Sequence, residues 1–268
     1  MIVPLSNSLL FDPRTMMEVF LPLFLAHLLG DFVFQTERMS YRKAHTILWL
    51  IPHAAIVGCL TWLFCWQKRG GMEVAIVVFI THLVFDSVKA RLPGNPLRWY
   101  LLDQAGHLAV LWFCAYWMVR HYNIISMPLA EYIPLDIQLI LCAYLSVFRP
   151  ITFGLGLFLK PWMGEVAKVN GEDAASPLTG LSRSGLWIGN LERLIALSCV
   201  LADQYLVIGA FIIAKSVLRI GDVSRPDQRK RADYIIIGTF ASAGSAIVIG
   251  LLARWIMENW LVGHAMAI

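Results

Sequence analysis

The sequence predicts an all-α, polytopic transmembrane helical bundle of six or seven spans, and three observations carry that reading. Hydrophobic residues fill 58% of the 268 positions and charged residues only 15%, with a mean hydropathy of +0.65, whereas charged residues make up about 25% of a soluble domain. The apolar runs extend to about 20 residues, the length that carries a helix across a hydrocarbon core, while a membrane strand takes about ten. Histidine and aspartate also recur one helical turn apart inside two of these runs, as His27 and Asp31 in AHLLGDFVFQ and as His82 and Asp86 in THLVFDSVK.

Residues 1–16 read as an N-terminal extension, with Pro4, Asp12 and Pro13 ahead of the first span. It has no basic region followed by an apolar core and cleavage site, so no signal peptide is expected. The first span covers about Met17–Gln35 and ends in the polar loop Thr36–Ala44; the second covers His45–Trp66, with Pro52 tolerated because membrane helices can re-satisfy a lost hydrogen bond. The third covers Met72–Ala90, Pro93-Gly94-Asn95-Pro96 forces a loop, and the fourth covers Leu97–Val119. Residues 17–120 thus form a four-helix membrane unit. HLLGD is followed by His53, and HLVFD in the same way by His107, so the unit reads as a duplicated two-helix element in parallel orientation.

Residues 121–268 supply further membrane helices. Leu135–Lys160 is interrupted at Arg149-Pro150, residues 161–184 read as a polar loop, Leu194–Ala214 is apolar, and the last span covers Tyr234–Met257. The loops after spans one and three hold three basic residues each and are assigned to the cytoplasm. Simple alternation through seven spans then puts Arg225, Arg229, Lys230 and Arg231 outside, against that rule. Either the Pro150 segment does not cross or the chain doubles back at Asp203-Gln204.

The net charge of +4 is scattered over short loops and helix ends, which excludes a nucleic-acid footprint. Cys59, Cys65, Cys114, Cys142 and Cys199 form no CxxC pair and read as small buried hydrophobes. Motifs for a phosphate loop, a zincin-type protease and a serine-hydrolase elbow are absent.

Ionisable groups inside a span are costly enough to mark function. Counted from the span ends at 1.5 Å per residue, His27, His53, His82 and His107 each lie roughly 10–15 Å in from the cytoplasmic face. Asp31, Asp86 and Asp103 each stand four residues from one of these histidines. Imidazole and carboxylate are ligands for a divalent transition metal such as zinc, manganese or iron, and His27, Asp31, His53, His82, Asp86 and His107 are the expected ligands. That is more than one tetrahedral zinc takes, so either two ions bind or some members orient the others. Asp103 is the expected general base and Lys89 the group that holds an anion, with Gln35 and Gln104 as hydrogen-bonding partners. Arg193, Lys215 and Arg219 are the expected anion-binding residues of the C-terminal half, with snorkelling at span ends as the competing account.

AHLLGDFVFQ, THLVFDSVK with LLDQAGH, IGNLER, AKSVLRIGD and ADYIIIGTFASA together resemble an uncharacterised bacterial membrane family, domain of unknown function 3307. The resemblance implies a bacterial inner-membrane protein and supplies no activity. The intramembrane HxxxD pattern is also similar to that of inner-membrane metal-dependent hydrolases, in a different order and spacing. The expected function is metal-dependent hydrolysis of a membrane-embedded substrate such as a lipid phosphoester, with membrane lipid as partner. The alternatives are transport of a divalent cation or proton, and a non-catalytic membrane scaffold.

Overall fold

The computed structural model describes residues 12–36, 39, 47–170, 180–217 and 229–262, and among these the secondary structure is helical, with no strand. The chain forms two compact units, residues 1–142 with 255–268, and residues 143–254. Among the described residues four helical stretches are long and apolar enough to cross a membrane: Pro13–Val33, Gly71–Lys89, Leu135–Met163 and Asp233–Leu261.

In the first unit, α1 (Pro13–Leu28) starts where Asp12 accepts from the Thr15 amide at 2.9 Å. Pro13 holds the first position, where a missing N–H costs nothing. α1 then widens into a π-turn, Leu29–Val33, in which the Phe34 amide donates to the Leu29 carbonyl at 2.8 Å. α2 (Leu50–Phe64) follows the 3-10 turn Ile47–Trp49. Pro52 therefore falls in the first turn of α2, where no intrahelical hydrogen bond is lost and none has to be re-made.

α3 (Gly71–Lys89) is entered through Gly70 at φ 79°, where a Cβ would collide with the Tyr122 ring. α4 (Pro96–Tyr122) is capped by Asn95, which accepts from the Leu97 and Arg98 amides at 2.9 and 3.3 Å. His53 near the start of α2 meets His82 near the end of α3, so these helices run antiparallel. Met16, Val19, Leu23, Val57, Val74, Val78, Leu111 and Met118 pack into one apolar core. These residues come from the starts of α1 and α3 and from later turns of α2 and α4. The opposite ends of the same four helices carry the histidines and carboxylates. Trp260, in the terminal π-segment Met257–Val262, lies 6.5 Å from Trp112 of α4.

α5 (Leu135–Phe148) leads from the first unit into the second and is followed by α6 (Pro150–Asn170). α6 runs through Pro161 for nine more residues, so the first part of the expected polar loop 161–184 is helical; its Met, Glu, Ala and Lys residues are good helix formers. α7 (Gly180–Leu201) and α8 (Tyr205–Val217) are joined by a turn in which Asp203 has φ 60°. Glu192 and Lys215, on opposite sides of that turn, form an ion pair at 2.5 Å. The run Leu194–Ala214 therefore doubles back. α9 (Arg229–Ile256) completes the second unit, with Arg254 ion-paired to Asp203 and donating to the Val200 carbonyl.

Gly30, in the π-turn after α1, packs tightly on α2: an added Cβ would lie 2.8 Å from Val57 Cγ2 and 3.1 Å from its Cα. Gly30→Ala is expected to cost about 1–3 kcal/mol by overpacking, read as a lowered unfolding midpoint in detergent. A Gly156→Ala control, where nothing lies within 4 Å, should leave the midpoint unchanged or raise it.

Candidate metal centre

The polar end of the first unit is built from helix ends. His27 stands in the last turn of α1 and Asp31 in the π-turn; His53 is in the first turns of α2; His82, Asp86 and Lys89 occupy the last turns of α3; Asp103, Gln104 and His107 lie in the first turns of α4. All four histidines and all three aspartates are buried, with relative exposures of 0% to 7%. The four histidines, three aspartates, Lys89 and Gln104 expected from the sequence come together.

The tightest group is Asp31, His53, His82 and Asp86. His53 Nε2 is 3.0 Å from Asp31 Oδ1, 3.0 Å from His82 Nε2 and 3.5 Å from Asp86 Oδ2, while His82 Nε2 is 3.7 Å from Asp31 Oδ1 and 3.8 Å from Asp86 Oδ2. Donors about 2.0–2.1 Å from a tetrahedral ion stand about 3.3 Å apart from one another. The five separations bracket that edge, and the donor atoms of Asp31, His53 and His82 lie close enough together to share one ion. Asp31 with His53 and His82, and His82 with Asp86 and His107, are two overlapping groups whose donor atoms lie within 4.8 Å of one another.

His27 stands apart from this group. Its Nε2 faces Gln104 Oε1 at 3.5 Å, and its ring lies 5.0 Å from that of His107. The i, i+4 spacing would put His27 and Asp31 on one face of an α-helix. Asp31 itself lies in the π-turn, where five rather than four residues are spanned by each hydrogen bond, and its Oδ1 reaches His53.

Gln104 donates to Asp31 Oδ2 and Asp103 Oδ2, both at 3.2 Å, and so fixes the orientation of one carboxylate against the other. Lys89 binds Asp103 Oδ2 at 2.5 Å and Asp86 Oδ1 at 3.3 Å, and its side chain keeps 29% of its surface exposed. Asp103 Oδ1 and His107 Nε2 lie 3.4 Å apart, and neither makes a hydrogen bond to the described residues. With neutral imidazoles, Asp31, Asp86 and Asp103 against Lys89 leave an excess of two negative charges, which one divalent cation cancels and two do not.

Gln35, half-buried, follows Asp31 beyond the π-turn. Tyr100, which sequence reasoning missed, is 6% exposed and within electrostatic reach of Asp31 and Asp103. Its signal was its place one turn before Asp103 and Gln104 on α4. In the second unit Arg193 and Lys215 do not share an anion: Lys215 is taken by Glu192, and Arg193 donates to neutral oxygens. Arg219 lies outside the described residues.

Residues 19–132 match the model of a family described as a protein of unknown function (DUF3307), and this stretch holds the whole His/Asp cluster. The C-terminal motifs that share the resemblance lie beyond it. No curated protein and no solved structure matches the chain.

Removing Lys89 would leave two buried carboxylates facing each other. Lys89→Met is expected to destabilise the protein by about 3 kcal/mol, the low end for a broken buried pair because the lysine is partly exposed. Asp103→Asn added to it should recover at least half of that loss in a double-mutant cycle of denaturant unfolding.

Proposed function

We propose that the unit carrying this family match is the metal-binding core of a multi-pass integral protein of the bacterial inner membrane, and that it hydrolyses a membrane-embedded substrate of the lipid phosphoester class. The observation that supports this reading is the Asp31, His53 and His82 donor group standing beside the Lys89–Asp103 pair. Two imidazoles and one carboxylate, with a fourth position left for water, are a ligand set of catalytic metal sites. A divalent transition metal held there would supply Lewis acidity and an ionisable water.

The chain's own residues provide the rest. Asp103 Oδ1, buried and without a hydrogen bond, is the acceptor for the proton of the attacking water. Lys89, partly exposed, steadies negative charge developing on the substrate. Gln104 keeps Asp31 and Asp103 in register, and the imidazoles of His27 and His107 fill the space behind His82.

Asp86 favours a second reading. Its Oδ2, at 3.5 and 3.8 Å from the two imidazole nitrogens, could take the fourth position itself. Four protein donors and a neutral charge balance suit an ion that is cargo, and the chain would then carry a divalent cation across the membrane.

Elemental mass spectrometry of protein purified in detergent without chelator tests the shared premise. One equivalent of zinc, manganese or iron is expected in the wild type and in His27→Ala, and none in His53→Ala or His82→Ala. A wild type that holds no metal and cannot be loaded sinks both readings. Asp103→Asn should keep the metal and lose hydrolysis of a lipid phosphoester by at least about 100-fold. If Asp86→Asn loses the metal, and sealed vesicles bearing the wild type take metal up, the transport reading replaces the hydrolase.

A further inference from the structure

The second unit buries a cation that pairs with no carboxylate among the described residues. Arg193, midway along α7, is 3% exposed. Its Nε donates to the Val147 carbonyl at 3.0 Å, Nη1 to Ser242 Oγ at 2.8 Å, and Nη2 to Thr152 Oγ1 and Asn190 Oδ1, both at 2.5 Å. Every one of these partners is neutral. The neighbouring carboxylate, Glu192, is held by Lys215. Among the described residues no aspartate or glutamate forms an ion pair with Arg193, so this cluster keeps one net positive charge in an apolar setting.

A guanidinium offers five N–H donors, and the four hydrogen bonds leave one, on Nη1, without an acceptor. Space stands open beside it. A Cβ built at Gly189 would find Arg193 Nη1 at 3.4 Å and nothing else within 4 Å, and one built at Gly185 would find nothing within 4 Å. Gly185, Gly189 and Arg193 are spaced four residues apart and so share one face of α7, and exposure falls along it from exposed Gly185 through half-buried Gly189 to Arg193.

The depth of this track follows from α9. Arg193 meets Ser242 and Asp203 meets Arg254, so α7 and α9 run parallel, and Gly185 is level with the Asp233–Tyr234 end of α9. Ser242 lies nine residues beyond Asp233, about 13 Å deeper at 1.5 Å per residue. The glycine face therefore leads from the Asp233–Tyr234 level of the unit inward to the Arg193 guanidinium.

We infer that Arg193 Nη1, with the space over Gly189 and Gly185, forms a binding site for a phosphate oxyanion, borne by an anionic phospholipid or free in solution. The anion supplies the missing negative charge and accepts the spare N–H; guanidinium is the side chain whose planar fork fits phosphate best. This site is independent of the metal centre, and its residues lie outside the stretch matched by the family model.

The test is thermal unfolding of the detergent-purified full chain with short-chain phosphatidylglycerol, short-chain phosphatidylcholine or inorganic phosphate. Phosphatidylglycerol is expected to raise the wild-type midpoint saturably and phosphatidylcholine not. Gly189→Leu, which fills the space while leaving every Arg193 hydrogen bond in place, should weaken the apparent affinity at least tenfold. A rise with inorganic phosphate that Gly189→Leu also removes supports the site with a free anion as its ligand; a rise with phosphatidylglycerol alone assigns it to lipid. Equal response to the two lipids with none to inorganic phosphate, or an undiminished response in Gly189→Leu, overturns the proposal. Arg193→Lys, which keeps the charge and loses the fork, should bind more weakly than the wild type if it folds.

Discussion

Three carboxylates buried at one end of a four-helix unit set the terms for everything around them. A lone ionised carboxylate in an apolar interior costs several kcal/mol, and mutual repulsion adds to that. The fold answers with Lys89 bridging Asp86 and Asp103, Gln104 donating to Asp31 and Asp103, and the imidazoles of His53, His82 and His107 packed against the remaining oxygens. With neutral imidazoles this neutralisation is incomplete by two charges, and that deficit, more than the number of ligands, is what a divalent ion would satisfy.

Segregation within the unit follows from the same constraint. Valine, leucine and methionine fill the end where α1 and α3 begin, and the polar groups collect where those helices finish and α2 and α4 begin. Helix starts expose unpaired N–H groups and helix finishes unpaired carbonyls. His53 sits in the first turn of α2, and Lys89, the one cation of the cluster, at the negative end of α3. Asp31 and Asp86, at the C-terminal ends of α1 and α3, have the backbone against them, which adds to what Lys89 and the imidazoles must offset.

The helical character and nearly every member of the cluster could be read from residues alone, because HxxxD within an apolar run has few uses. Equal depth of His27, His53, His82 and His107 was a matter of counting. Which of them converge was not legible. The π-turn at Leu29–Val33 has no residue signature beyond Gly30, yet it carries Asp31, which reaches His53 at 3.0 Å. The extension of α6 past Pro161 was hidden because a proline reads as a stop when its neighbours are not seen. Arg193 was legible as a candidate for anion binding, but its grouping with Lys215 rested on composition. The pairing of Lys215 with Glu192 depends on a chain reversal that only Asp203-Gln204 hinted at.

That reversal bears on parity. Because Lys215 returns to the level of Glu192, the chain leaves α8 travelling opposite to the way it travelled in α7. For a protein that crosses a bilayer, such a hairpin adds an even number of crossings, whether its two arms reach the far surface or stop short of it. Entry and exit then share a compartment. Of the two ways to reconcile charge distribution with span alternation, this geometry is the doubling back at Asp203-Gln204.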